Sequence, residues 1–363
     1  MFSSQVRIGR RNLDTMRQVL NYVLGGFQEM KALNKTWSIL LVAILMALAL
    51  VGCGDKEAAP KETTPPAQQE AQTNEEPADS SAELKTTYPL TVTDSTGVEM
   101  TFEQAPAKIA SLAPSETEKL FALGLDDEIV GVSDNDDYPE AAKSKPKLGG
   151  YQVNEEAIIA ADADVVFAAS INAQNAEKLR ELGVTLFVND PKTVDAVMEN
   201  IELIGQITDR QAEAKSVVDQ MKQELDSVTE AVKSVKDEDK KKVYVEFSPG
   251  WTVGKGEFMD EIINLAGGIN AAGDTEGWFE ISEENIIAAN PDVILYTDDV
   301  VDEATKKTLD QLIKERGGWD QIEAIKNDQV IAVDANLLSR PGPRVTQGLI
   351  EVAKAVYPEL MNP

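Results

Sequence analysis

Thr208-Asp209-Arg210-Gln211 opens the stretch that decides the fold, and it closes at Val235-Lys236 with comparable amounts of chain on either side. The opening four residues have the form of a capping box. Behind them Val218, Met221, Leu225, Val228, Val232 and Val235 recur at alternating steps of three and four, which predicts one helix with a narrow apolar stripe. Lys222, Glu224, Asp226, Glu230 and Lys233 lie between, so most of the circumference is solvated and one seam packs. At 1.5 Å per residue such a helix is roughly 40 Å long, about the size of a small domain, and can join two lobes as a strut.

On both sides of it, short apolar runs alternate with amphipathic segments. Before it, 109–112, 129–132, 165–168 and 185–188 read as strands, and 115–123, 154–161, 173–182 and 194–207 as helices. After it, 243–247, 293–296 and 330–333 read as strands, and 257–266, 282–289, 303–314 and 344–356 as helices. Alternation of this kind predicts α/β architecture with mostly parallel sheets covered on both faces. Ahead of the first sheet, Leu90 to Asp94 and Val98 to Phe102 alternate around Ser95-Thr96-Gly97, the pattern of a hairpin.

The halves also repeat each other. Val153-Asn154-Glu155-Glu156-Ala157-Ile158-Ile159-Ala160-Ala161-Asp162-Ala163-Asp164-Val165-Val166 matches Ile281-Ser282-Glu283-Glu284-Asn285-Ile286-Ile287-Ala288-Ala289-Asn290-Pro291-Asp292-Val293-Ile294 without a gap. Each copy reads as a capped helix, a turn and a strand, so two Rossmann-like lobes of like architecture are expected, joined by the long helix, with a ligand cleft between them. Acids in a first helical turn complement the positive helix end. One exposed carboxylate per lobe at matching places would also suit a two-fold partner that carries arginines.

Composition narrows the chemistry. The net charge is −29 with an isoelectric point near 4.3, which argues against nucleic acid as a partner. There is no histidine, which removes the commonest metal ligand and general base, and no Gly-x-Ser-x-Gly elbow replaces it. No catalytic residue, resident metal or cofactor is therefore expected. Cys53 is the single cysteine, so no disulfide forms within the chain.

Cys53 follows Lys31, Lys35 and an apolar run from Trp37 to Leu50, closed by Leu50-Val51-Gly52. This resembles the lipobox of a bacterial lipoprotein signal peptide, which implies a diacylated Cys53 and tethering outside the cytoplasmic membrane. Translation is expected to begin at Met30, leaving 1–29 as an upstream extension, 30–52 as the signal and 53–87 as the lipidated, unstructured tether. An amino-terminal lobe over 88–207, the bridging helix over 208–237 and a carboxy-terminal lobe over 238–363 complete the expected organisation.

Tyr138 and Tyr151 in the first half, with Phe247, Trp251, Trp278 and Phe279 in the second, sit largely among turn-forming neighbours and suit an apolar cleft for a bulky ligand. Arg340-Pro341-Gly342-Pro343-Arg344 adds guanidinium donors suited to carboxylate or phosphate groups. Gly254-Lys255-Gly256 lacks the spacing of a phosphate loop.

With Ser111-Leu112-Ala113-Pro114-Ser115-Glu116-Thr117-Glu118, Asp137-Tyr138-Pro139, Gly149-Gly150-Tyr151, Leu265-Ala266-Gly267-Gly268, Gly277-Trp278 and the Arg340 to Arg344 motif, the chain from Met30 resembles the substrate-binding lipoproteins of ABC importers, of the class that binds cobalamin and ferric siderophores. The resemblance implies a monomeric receptor that docks on a permease dimer through one glutamate per lobe, at Glu156 and Glu284. Ser133 to Pro139, Trp251 to Lys255 and Trp278 look closest to the cobalamin binders. On that basis Asn135, Tyr138, Tyr151, Trp251, Trp278 and Arg340 are the expected ligand contacts. Tyr151 stands where a tryptophan often does, Asn135 at a tyrosine position, and Ala169 where another aromatic lies in relatives. A ferric siderophore, with Arg340 or Arg344 on an anionic group, is the alternative ligand.

Overall fold

The computed structural model describes residues 84–302 and 304–361. The upstream extension, the signal, Cys53 and most of the tether lie outside the described residues. Among the described residues, no helix is long and apolar enough to cross a membrane.

Twelve strands are present among the described residues: β1 (Leu90–Thr93), β2 (Glu99–Phe102), β3 (Ile109–Ser111), β4 (Ile129–Gly131), β5 (Val165–Ala169), β6 (Leu186–Asn189), β7 (Lys242–Glu246), β8 (Trp251–Val253), β9 (Ile269–Asn270), β10 (Trp278–Glu280), β11 (Val293–Thr297) and β12 (Val330–Val333). They build two parallel four-stranded sheets, ordered β4-β3-β5-β6 and β9-β7-β11-β12. The order is the same in both, so the internal repeat extends to topology. Val165 and Phe167 are buried on one face of β5 and Val166 and Ala168 on the other, and Val293 and Leu295 are buried on one face of β11 and Ile294 on the other, as expected of strands covered on both faces by helices. β1 and β2 form the predicted hairpin, where Gly97 takes the left-handed conformation (φ 81°) that its turn requires.

The repeat holds in backbone detail. Glu155–Ala161 and Glu283–Ala289 are both helices of seven residues, capped at the start by Asn154 and Ser282 and ended by the left-handed residues Asp162 and Asn290. The acid before each following strand also does the same work. Asp164 accepts from the Ala107 and Lys108 amides at 2.8 and 2.9 Å ahead of β3, and Asp292 accepts from the Lys242 amide at 2.8 Å at the start of β7. Each carboxylate thereby stitches its strand to the neighbouring one.

The long helix runs from Gln211 to Val232, shorter at both ends than the stretch its sequence suggested. The capping box does not form. Thr208 instead closes the preceding helix, Val194–Ile207, by donating its hydroxyl to the Ile204 carbonyl at 2.7 Å. Asp209 is left-handed (φ 56°), and the turn between the helices is so tight that Thr208 is used before the second one starts. At the other end the charged run from Lys236 to Lys242 offers nothing to extend the apolar stripe. Ala214, Val218, Met221, Val228 and Val232 form the buried seam, in one core with Ile201 and Ile204 before the helix and Leu349, Val352 and Val356 after it. The helix packs on Val194–Ile207 of one half and Val345–Val356 of the other. Gly205 permits the close approach on the first side, since a Cβ there would lie 2.6 Å from that of Ala214.

Thr86, read as tether, donates its amide to Asp209 at 2.8 Å and its hydroxyl to the Gln206 carbonyl at 2.7 Å, because the inter-helix turn leaves those acceptors outward. The expected helix over 173–182 is split into a 3-10 turn, Ser170–Asn175, and a helix, Ala176–Glu181. The helix expected from 303 begins only at Leu309. Trp251 and Trp278, read as loop residues, lie in the antiparallel pair β8 and β10. Gly254 follows β8, and a Cβ on it would sit 1.9 Å from the Thr275 carbonyl oxygen, so close backbone packing explains this glycine. Gly254→Ala should cost roughly 2–3 kcal/mol in chemical denaturation, the range for an overpacked site that cannot yield; an unchanged midpoint would refute this account of the β8–β10 junction.

Candidate functional site

A cleft of about 790 Å³ opens between the lobes. The first lobe lines it with Leu112 to Ser115 beyond β3, with Asn135, Gly150 and Tyr151, and with Ala169 to Asn172 at the end of β5. The second lobe contributes Trp278 of β10, together with Asn336, Ser339, Arg340 and Pro341 beyond β12. The lining gathers near the carboxyl ends of parallel strands, where open α/β sheets collect ligands because the chain splays apart there.

Four of the six expected ligand contacts meet in this cleft: Asn135, Tyr151, Trp278 and Arg340. Tyr151 is 69% exposed and Trp278 47%, large apolar surfaces for a protein to leave uncovered. Trp278 is braced from behind by Phe247, with ring centroids 4.7 Å apart. Tyr138 and Trp251 are not among the lining residues. The Tyr138 ring carries the Arg344 guanidinium 3.8 Å from its centroid, and Trp251 pairs with Glu280 across the β8–β10 ladder. Asn172, Asn336, Ser170 and Ser339 line the cleft without having been singled out, and Ser115 stood only within a family motif; small polar residues carry no periodicity that would mark them, although Asn336 and Ser339 precede the Arg340 motif.

The two arginines of that motif are engaged across the lobes. Arg344 grips Glu118 with two hydrogen bonds, Nε to Oε2 at 2.8 Å and Nη2 to Oε1 at 2.7 Å. Arg340 donates Nη1 to Glu118 Oε1 at 3.0 Å and to Asp137 Oδ1 at 2.6 Å. Burial by itself would raise the Asp137 carboxyl pKa, but the hydrogen bond and charge of Arg340 outweigh it and hold it below the usual range. Burial would likewise lower Arg340, and its bonds to Asp137 and Glu118 raise it instead. The carboxylates that the arginine motif suits are thus supplied by the chain itself. Asp136 anchors the loop before Tyr138, accepting from Thr117 at 2.5 Å and from the Ser133 hydroxyl at 2.6 Å; burial pushes its own carboxyl up despite these bonds.

At the repeated helix starts, the two acids of each pair behave differently. Glu155 is bound to Lys178 at 2.5 Å, and Glu283 lies 3.7 Å from Arg316. Glu156 and Glu284 are exposed and form no ion pair among the described residues. A second cavity, about 740 Å³, lies within the second lobe and is bordered by Glu283, Arg316 and Trp319. It takes no residue from the first lobe. No group of three or more acidic, histidine or cysteine side chains able to hold a metal ion occurs among the described residues.

Two like α/β lobes facing each other across a cleft define a bilobal solute receptor. The periplasmic binding protein family profile matches residues 109–337, and the chain belongs to that family. It is 36% identical over 339 residues to YvrC, an uncharacterized ABC transporter substrate-binding lipoprotein of Bacillus subtilis (strain 168), covering 91% of this chain and 99% of that one. It is 28% identical over 284 residues to a cobalamin-binding protein of Halobacterium salinarum, covering 76% of each. Among solved structures, a possible iron-binding (periplasmic solute-binding) protein from Staphylococcus epidermidis superposes with a TM-score of 0.59 at 33% identity, over 70% of this chain and all of that one (100%). The protein is the substrate-binding component of an ABC transporter, a class of solute-binding proteins that work with a permease.

Proposed function

We propose that the cleft captures cobalamin or another corrinoid and that the protein delivers it to the permease, held at the membrane through an acylated Cys53 and performing no catalysis of its own. The observation that carries this reading is the chemistry of the lining. Tyr151 and Trp278 supply aromatic surface from opposite lobes, while Asn135, Asn172 and Asn336 supply neutral amides and, among the described residues of the lining, Arg340 alone is charged. A corrin presents apolar faces and a rim of carboxamides, so it matches such a wall in both respects. The second reading, a ferric siderophore, is favoured by the likeness to the possible iron-binding protein of Staphylococcus epidermidis. Glu156 and Glu284 are the docking residues in either case, and the helix Gln211–Val232 serves as the strut between lobes.

Titration of the purified protein with cyanocobalamin, followed by quenching of tryptophan fluorescence, should saturate at one ligand per chain. Trp278→Ala should weaken that binding about 10- to 100-fold, as loss of a stacked aromatic anchor does, with little change in melting temperature because the ring is half exposed. A flat cobalamin titration beside saturable binding of a ferric trihydroxamate would transfer the assignment to the second reading.

A further inference from the structure

We propose that Asp137 and Glu118 set the charge selectivity of the cleft: they cancel the two guanidinium charges at its wall, so that the receptor admits neutral chelates and rejects anionic ones. The inference rests on the proposed capture of a bulky chelate, and it concerns which charge that chelate carries. Arg340 lines the cleft, and its Nη1 is the atom committed to both Glu118 and Asp137. Its Nε and Nη2 donate to no residue among those described, so it can still give hydrogen bonds to a neutral carbonyl. Arg344 lies behind it, closed by the bidentate grip on Glu118 and by the face of Tyr138. Two positive charges therefore meet two negative ones, and Asp134 beside Gly150 adds a further carboxylate near the mouth. An anionic ligand would meet no uncompensated positive charge here, and the protein as a whole carries −29.

The two carboxylates are not equivalent. Glu118 is buried and holds both arginines, so its loss would disturb the lobe contact itself. The Asp137 side chain is 52% exposed and touches only Arg340 of the pair, which makes it the position where charge can be altered with the wall intact. Asp137→Asn keeps an acceptor for Nη1 and removes the charge.

The test uses two matched ligand pairs, so that the charge rule and the corrinoid assignment can fail separately. One pair is cyanocobalamin and a corrinoid whose peripheral amides are hydrolysed to carboxylates; the other is a neutral ferric trihydroxamate and a trianionic ferric tris-catecholate. The wild type should prefer the neutral member of whichever pair it binds. Asp137→Asn should bind the anionic member at least about 10-fold more tightly than the wild type does, while affinity for the neutral member changes less than about 3-fold and the gain shrinks in half-molar salt, as expected for one freed guanidinium. Adding Arg340→Gln to that variant should abolish the gain, with melting temperature confirming that all forms are folded. Preference for trihydroxamate over cobalamin would displace the corrinoid reading and leave the charge rule standing. Equal wild-type affinity for both members of a pair, or no gain in Asp137→Asn, would overturn the rule.

Discussion

Lys119→Ala should lower the unfolding free energy by about 3–5 kcal/mol, the cost of leaving a buried carboxylate without its counter-charge. Lys119 and Glu116 lie one turn apart on the helix Pro114–Ala122, both fully buried, with Nζ 2.8 Å from Oε1. Lys119 also donates to Asn200 at 2.6 Å, Asn200 to Asn189, and Asn189 back to Glu116 Oε2 at 2.5 Å. The four side chains form a closed ring that ties this helix to the end of β6 and to the helix Val194–Ile207. Removing Lys119 breaks the ring at two bonds and strands a charge where water cannot reach it. Replacing both ions, in Glu116→Leu with Lys119→Met, should cost less than Lys119→Ala alone, since an apolar pair needs no compensation. Urea denaturation of the three proteins decides the matter. A loss below about 1 kcal/mol for Lys119→Ala would mean that the site is wetter than its burial implies.

The largest functional effect is expected from Glu156→Ala combined with Glu284→Ala, which should abolish permease-dependent uptake while leaving ligand affinity unchanged. Within each pair of acids, the repeat leaves one tied to its own lobe and the other exposed without an ion pair, so the second is the one available to a partner. Exposed helix-end carboxylates contribute only about 0.3–1 kcal/mol each to stability, so the double variant should fold and melt nearly as the wild type does. If these acids meet permease arginines, they act through steering and register, which salt screens, so the difference between variant and wild type should narrow as ionic strength rises. Reconstituted transport and ligand dissociation constants, measured side by side, separate the outcomes. Undiminished transport would leave these acids as helix-end charges only, and lost ligand binding would place them in the cleft.

Much of the architecture was legible in the primary structure, because it depends on local periodicity. The runs at 165–168 and 293–296 are continuous and apolar since both faces of each strand are covered, and the helix Val194–Ile207 could be read to the residue. The matched segments around Glu156 and Glu284 also disclosed two lobes of one design, down to the acid that stitches each strand to its neighbour. The ends of the long helix were not legible. Thr208 has the chemistry of a cap, and only the tight turn at Asp209 decides that it caps the helix before rather than the one after.

The wall of the cleft was the least legible part. Arg340 could be seen as a donor, but its acceptors, Glu118 and Asp137, lie more than two hundred positions away in the chain. Tyr138 reads as a ligand aromatic, and nothing local to it announces that Arg344 stacks on its face. The amino-acid order by itself determined the α/β class, the repeat and the paired acids, since these follow from spacing along a helix or strand. Which aromatics reach the cleft and which charges are already cancelled was decided by the tertiary structure alone, because a side chain's partner across two lobes is set by how the sheets face each other, and no local period encodes that.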